Sequence, residues 1–370
     1  MEFIDLKAQQ DRIKHRLDAR LVEVLAHGRY ILGPEVHALE SKLSAFSNSS
    51  HTITCANGTD ALSLLLRAWN ISSGDAVFCP SFSYCATAEV IAQVGATPVF
   101  VDIDLSSFNL CPESLTQAIN QVHTQCTLTP KAVIIVDLFG QSANYPALSA
   151  IARKAGLKVI SDNAQGFGTT WGGQTPSHWA DAVTTSFFPA KPLGCYGDGG
   201  AIFTQDSDLD GLLRSLRFHG RDNVPYNHKY IGMNSRLDSL QAAVLLCKLE
   251  IFAEEVVARN EIAARYSKSL KDCVDTPFVR EEAISTWAQY TIKTASPDRL
   301  KTTLSDAGIP SARYYPLPIH RQTAYRNFPI SGNKLEVTDD VATQVISLPM
   351  HPYLSREDQD RIISVVKQSV

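Results

Sequence analysis

The sequence predicts an α/β fold, with a large domain built on a mixed, mostly parallel sheet and a smaller α+β domain at the C-terminus. Three observations carry this. From about residue 52 to residue 204, short β-like runs alternate with helical stretches. The run Lys131–Leu138 has a continuous apolar centre, the pattern of a strand buried on both faces. Beyond residue 205 the alternation stops, and a helical pattern from about Arg236 to Leu270 is long enough to bridge two lobes. The expected division is 1–245, including the N-terminal helices, and 246–370.

The elements follow in order. Ile13, Leu17, Leu21, Val22 and Leu25 recur at helical spacing over 7–26 and the pattern stops at Gly28. A second helix follows Gly33-Pro34. Then come a strand at Thr52–Cys55, a helix at Thr59–Ala68, a strand at Ala76–Cys79, a helix at Tyr84–Val94 and a strand at Thr97–Val101. Lys131–Leu138 is the buried strand, Ala147–Ala155 a helix and Lys158–Ser161 the next strand. Thr184–Phe188 and Gly200–Thr204 complete the strands of the large domain, and 207–218 is helical. The polar stretch 219–235, with Gly, Pro and Asn, reads as an ordered functional loop or a mobile one. In the C-terminal part, Trp287–Thr294 and Ala312–Tyr315 are β-like. Residues 297–307, 338–345 and 355–368 are helical.

Composition narrows the function. The chain has 370 residues, 44% apolar and 19% charged, with net charge −4. Nucleic-acid binding wants a clustered basic excess, which this balance does not supply. The start Met-Glu-Phe-Ile-Asp-Leu-Lys has no signal-peptide pattern, and no apolar run approaches the ~20 residues of a membrane span. The eight cysteines are scattered without a Cys-x-x-Cys pair, so no zinc site or disulfide framework is expected. Free thiols in a cytoplasmic protein are the expectation.

The chemistry centres on Lys191. It sits in Thr185-Ser-Phe-Phe-Pro-Ala-Lys-Pro-Leu-Gly-Cys-Tyr-Gly-Asp-Gly-Gly200, boxed by Pro189, Pro192 and several glycines. Upstream, Asp162 directly follows the apolar stretch Leu157–Ser161. In an open α/β sheet, ligands sit beyond the carboxyl ends of the strands. A lysine with a carboxylate so placed suggests a Schiff base to pyridoxal phosphate, with the acid pairing the ring nitrogen. From these two residues alone, a loop lysine and a turn-capping aspartate remain an alternative. Gln165 reaches the cofactor's phenolic oxygen, stacks nearby, or is solvated. Asn57-Gly58-Thr59 offers a phosphate site at a helix N-terminus, and is equally an ordinary turn and N-cap. Ser186 could add a second phosphate hydroxyl. Tyr84 either stacks on a flat ring or is a core or rim aromatic. Asp102-Ile-Asp104 resembles a metal-binding Asp-x-Asp but reads as the end of a strand. Gly197-Asp-Gly-Gly200 lacks the dinucleotide spacing.

Taken together, the motifs resemble the DegT/DnrJ/EryC1/StrS sugar aminotransferases, fold-type I pyridoxal-phosphate enzymes. The carrying segments are Asn57-Gly-Thr-Asp-Ala-Leu62, Asp162-Asn-Ala-Gln165, Thr185-Ser-Phe-Phe-Pro-Ala-Lys191, Asn234-Ser-Arg-Leu-Asp238 with Gln241-Ala-Ala, Tyr315-Pro-Leu-Pro and Ser347-Leu-Pro-Met-His-Pro352. They span nearly the whole chain. The start Glu2-Phe-Ile-Asp-Leu-Lys7 with Tyr30-Ile-Leu-Gly-Pro34 is most similar to one subgroup. That subgroup aminates C3 of UDP-2-acetamido-2-deoxy-3-oxo-glucuronic acid with L-glutamate as donor, for bacterial surface polysaccharide such as the O-antigen of lipopolysaccharide.

The resemblance implies roles residue by residue. Lys191 would carry the cofactor and shuttle protons, Asp162 would pair with the ring nitrogen, and Gln165 would contact the ring oxygen. Tyr84 joins the cofactor set. Gly58, Thr59 and Ser186 would hold the phosphate. Asn234 would arrive from the other subunit of a homodimer that builds each site from both chains. Arg236 and Tyr315, also from the partner subunit, would reach the UDP-linked keto sugar, with Tyr314 and His320 in the same substrate-binding set. No metal is implied. One departure stands out: related enzymes of the subgroup can carry His where this chain has Tyr314. The alternative within the fold is amination at C4 of an NDP-4-keto-6-deoxy sugar. The alternative outside catalysis, a regulator or scaffold, would be supported by loss of Lys191 or Asp162, and both are present.

Overall fold

The computed structural model describes residues 1–224 and 226–369. Two helices open the chain, α1 (Leu6–His27) and α2 (Pro34–Ser47). The Asp5 side chain accepts the Ala8 N–H to start α1, and Pro34 sits at the start of α2, where an N–H has no helical partner. The large lobe continues through β1 (His51–Cys55), α3 (Gly58–Ala68), β2 (Asp75–Pro80), α4 (Ala86–Gln93), β3 (Thr97–Val101), α5 (Pro112–Gln125) and β4 (Thr129–Val136). After these come α6 (Tyr145–Lys154), β5 (Lys158–Asp162), β6 (Thr170–Trp171), β7 (Ala182–Ser186), β8 (Gly200–Thr204) and α7 (Ser207–Leu216). The long α8 (Ser239–Leu270) leads to β9 (Ala283–Ile284), β10 (Tyr290–Lys293), α9 (Pro297–Asp306), α10 (Glu336–Gln344), β11 (Val345–Leu348) and α11 (Arg356–Ser369).

Seven strands form one sheet in the order β1-β8-β7-β5-β4-β2-β3. Every pairing from β3 to β7 is parallel, and β8 runs against both of its neighbours. The cause lies in the connections. Parallel neighbours need a crossover, usually helical, whereas residues 187–199 between β7 and β8 form a loop without a helix. That loop carries Lys191. Successive side chains of a strand face opposite ways. Val77 and Cys79 of β2 therefore enter a core with α3, α4 and α7, while Ala76 and Phe78 enter another with α5 and α6. With both faces covered, β4 is apolar and buried from Ala132 to Val136, the continuous apolar centre its sequence implied.

The C-terminal lobe packs α9, α11 and the second half of α8 against the antiparallel pair β10–β11. The chain does not stay there. Ile319, Leu335, Val341 and Ala342 return to the core of the large lobe. α8 is unbroken across 245/246. Leu245 and Leu246 pack in the large lobe, and Ala263, Tyr266 and Leu270 in the small one.

Four details differ from the sequence reading. α5 was not expected, although Leu115, Ala118, Ile119 and Val122 are buried at helical spacing behind Pro112. Ala312–Tyr315 is not a strand, since only Ala312 bridges Ser347 before the chain turns inward. The strand expected from Trp287 begins at Tyr290, because residues 285–289 lie along the Phe139-Gly140 turn. The helix expected to reach 345 stops at Gln344, and Val345 starts β11.

Candidate active site

The carboxyl ends of β4, β5 and β7 and the N-terminus of α3 surround a cavity of about 440 Å³. The structure brings Gly58, Thr59, Tyr84, Asp162, Gln165, Ser186, Lys191, Tyr314 and Tyr315 to its wall. Asp162 ends β5 and is buried. Its Oδ2 accepts the Thr87 hydroxyl at 3.1 Å and its Oδ1 accepts the Ala164 N–H at 3.2 Å. Burial pushes its pKa up, and the Ala164 N–H, Lys191 and Thr87 pull it back. Lys191 is lowered by burial, with Asp162 opposing. Among the described residues no salt bridge joins the two, so the amine is not consumed by a carboxylate.

The opposite end of the cavity suits an anion. The Asn57 side chain accepts the Asp60 N–H at 2.8 Å, and its carbonyl accepts the Ala61 N–H at 3.1 Å. That leaves the first two N–H groups of α3, from Gly58 and Thr59, to point outward with the positive end of the helix dipole. A Cβ on Gly58 would lie 2.8 Å from the Ser186 Cβ, so glycine is what lets Ser186 stand against the helix start. Free N–H donors at a helix start, a desolvated amine and a buried carboxylate thus line one cavity. This donor set fits pyridoxal phosphate.

The side wall is held by hydrogen bonds that the sequence did not suggest. Gln165 Oε1 accepts the Phe139 N–H at 2.7 Å, and its Nε2 donates to the Tyr315 hydroxyl at 3.1 Å. Phe82 packs edge-on against both Phe139 and Tyr315. Tyr84 is half-exposed at the rim.

The chain shows clear family ties. The DegT/DnrJ/EryC1/StrS aminotransferase family model matches residues 11–367. The chain belongs to that family. One relative of this aminotransferase, the UDP-2-acetamido-2-deoxy-3-oxo-D-glucuronate aminotransferase of Pseudomonas aeruginosa, is 49% identical over 96% of each chain. A DegT/DnrJ/EryC1/StrS aminotransferase from Brucella abortus superposes with a TM-score of 0.98 at 49% identity, covering 100% of this chain and 99% of that one. NtdA of Bacillus subtilis, solved with bound cofactor PMP, superposes at 0.86 with 28% identity, covering 97% of this chain and 82% of that one. The cofactor of this aminotransferase is pyridoxal phosphate.

Several expectations need correction or relocation. Tyr315 was expected from a partner subunit, but it lies in the cavity of its own chain, bonded to Gln165. His320 does not reach the cavity. Its Nδ1 is 2.7 Å from the Ser81 hydroxyl and its Nε2 3.3 Å from Asp339, so the ring ties a turn of residues 319–321 to the large lobe. Asn234 and Arg236 lie outside their own cavity. Asn234 bridges Phe218, and the Arg236 guanidinium stands 4.8 Å from the Phe218 ring. Asp102 is structural, as expected, because its carboxylate accepts the Val337 and Thr338 N–H groups at the start of α10. Asp104 accepts from Ser106 and Ser107 within its own turn. In the 219–235 loop, whose residue 225 lies outside the described residues, Tyr226 and Ile231 are exposed. Among the described residues no helix is long and apolar enough to cross a membrane.

The sequence reading passed over Thr87 and Asp137, while Asn57 caps α3 as its turn chemistry offered. Thr87 carries no signal apart from lying near Tyr84. Asp137 carries the same signal that singled out Asp162, an acid at the carboxyl end of an apolar run.

Proposed function

We propose that this aminotransferase moves the amino group of L-glutamate to C3 of UDP-2-acetamido-2-deoxy-3-oxo-D-glucuronic acid. The product is UDP-2-acetamido-3-amino-2,3-dideoxy-D-glucuronic acid, a precursor for surface polysaccharide. The observation that carries the substrate is the 49% identity, over 96% of each chain, to the Pseudomonas aeruginosa enzyme named for that keto sugar. The cavity supports the reaction type, since Lys191 and Asp162 face one space.

When bound, pyridoxal phosphate supplies an aldehyde that condenses with amines and a ring that accepts an electron pair. This chain's residues do the rest. Gly58, Thr59 and Ser186 would hold the phosphate, with Tyr84 at the rim beside the ring. Asp162, ionised, would keep the ring nitrogen protonated. Gln165, its amide plane fixed by Phe139, would contact the ring oxygen. Lys191 would be the base that moves the proton from the substrate carbon. Because burial lowers its pKa, more of it is unprotonated at neutral pH than for an exposed lysine. Donor and acceptor use the same cavity in turn, which implies ping-pong kinetics.

Arg236 and Asn234, being outside their own cavity, serve the cavity of a second copy in a homodimer. A guanidinium grips a carboxylate in bidentate fashion, which suits both the uronate and glutamate. Tyr314 and Tyr315 bound the sugar side from their own chain. We place the enzyme in the cytoplasm and divide it at 245/246, within α8. The test is the visible spectrum of the protein loaded with pyridoxal phosphate. A lysine-bound chromophore that bleaches on adding glutamate and returns on adding the keto sugar is expected. A spectrum unmoved by glutamate overturns the reading.

A further inference from the structure

Asp137 follows the last residue of β4 and is fully buried, yet no step above uses it. Four donors converge on its carboxylate. The Ala143 N–H reaches Oδ1 at 2.8 Å, while the Tyr145 hydroxyl at 2.9 Å, the Asn163 side-chain amide and the Thr169 hydroxyl at 3.4 Å reach Oδ2. The Ser161 hydroxyl, 2.6 Å from that of Tyr145, extends the network to β5. None of the four requires a proton from Asp137, so the site is built for the ionised, acceptor-only carboxylate. No cation pairs with it among the described residues. Burial pushes its pKa up to about 7, and the donors oppose this.

The network spans the two turns that build the cofactor wall. On one side, the Asp137 N–H donates to the Asp162 carbonyl at 3.1 Å, and Asn163 is the next residue along. The 163–166 turn lies flush on Asp137, since a Cβ on Gly166 would stand 2.4 Å from the Asp137 Cβ. On the other side, the Asp137 carbonyl accepts the Gly140 N–H, closing the turn in which Phe139 adopts φ 59°. The N–H of Phe139 is the one that fixes Gln165. Both turns therefore meet at one residue: its backbone bonds Asp162 and Gly140, and its carboxylate holds Asn163 on one side and the Ala143 N–H, just past the 137–140 turn, on the other.

We propose that Asp137 is the positioning residue for the cofactor ring: through Asn163 and the 137–140 turn it fixes the angles at which Asp162 and Gln165 present themselves. This rests on the reading of those two residues as ring contacts. The experiment compares wild type, Asp137→Asn, Asn163→Ala, the double variant and Asp162→Asn. It measures the Kd for pyridoxal phosphate by titration, and the Tm with and without it. Asp137→Asn turns an amide toward donors. Its cofactor Kd is expected to rise about tenfold, the loss of one hydrogen bond to a charged group, and the cofactor-induced gain in Tm to shrink. Asn163→Ala is expected to do the same, and the double variant to add little to either. Equal drops in Tm with and without cofactor, at unchanged Kd, would make Asp137 merely structural and overturn the proposal. Should Asp137→Asn fail to fold, an unchanged Kd in Asn163→Ala overturns it alone. Asp162→Asn separates the two readings. If it keeps the wild-type Kd and spectrum, the ring-contact reading has failed. If it loses them while Asp137→Asn does not, only the positioning role has.

Discussion

Thr87→Val isolates the hydroxyl that aims Asp162. Thr87 is buried, and its Oγ1 donates to Asp162 Oδ2 at 3.1 Å. Valine keeps the branched shape and removes the donor, so the packing of α4 changes little while the carboxylate loses one of its few partners. A hydrogen bond to a charged group contributes up to about 1.5–3 kcal/mol. Losing it lets Asp162 take up its proton at higher pH. The direction matches the balance at the site, where burial pushes the pKa up and Thr87 holds it down. Only the ionised carboxylate keeps the ring nitrogen protonated. Activity is therefore present above the Asp162 pKa and lost as pH falls through it. The acid limb of kcat/KM for glutamate should move to higher pH, with the basic limb in place. In the loaded enzyme the limb belongs to the Asp162–ring pair rather than to either group, which leaves the direction intact. The assay is steady-state kcat/KM for glutamate across pH at constant ionic strength, with Tm as the check on folding. An acid limb that stays where it is in wild type refutes the reasoning.

Three further outcomes follow from the same structure. Lys191→Ala should abolish turnover and the lysine-bound chromophore while circular dichroism and Tm stay near wild type; retained transamination would remove Lys191 from the centre of the account. Gly58→Val puts a branched side chain where even a Cβ would stand 2.8 Å from that of Ser186. Cofactor Kd should rise at least about tenfold, read by titration, because the phosphate donors are pushed apart. Glu40→Gln should cost about 3 kcal/mol in urea unfolding, because it leaves the buried Arg217 without its full counter-charge. Arg217 and Arg214 hold the Glu40 pKa down against burial. Its stabilisation is thus complete above the unfolded carboxylate pKa and is lost as pH falls through the folded value. The gap between variant and wild type should close in acid.

How far the site could be read from the chain differs by residue. Lys191 and Asp162 were legible because each has a local cause: a lysine held between prolines, and an acid at the end of an apolar strand. Gly58 and Thr59 were legible from the strand–turn–helix chemistry of Asn57-Gly-Thr. The origin of Tyr315 was not. Its place depends on how residues 310–321 fold back over the large lobe, which is decided by burial of Ile319 and by the Ser81 contact rather than by any local pattern. His320 is a case of the same kind, an isolated histidine whose neighbours come from distant segments. The topology was legible in outline because helix and strand periods alternate. The 344/345 boundary was not, since Gln344-Val345 fits either period until Ile346 and Leu348 pack beside Tyr290 and Ile292.

The central claim is tested most directly by following nitrogen. The loaded enzyme would be given ¹⁵N-labelled L-glutamate and UDP-2-acetamido-2-deoxy-3-oxo-D-glucuronic acid, and the sugar product read by ¹H–¹⁵N NMR. The label is expected on C3 of the uronate, with 2-oxoglutarate formed in equal amount. No label in the uronate, with label entering C4 of an NDP-4-keto-6-deoxy sugar supplied in a parallel reaction, would contradict it.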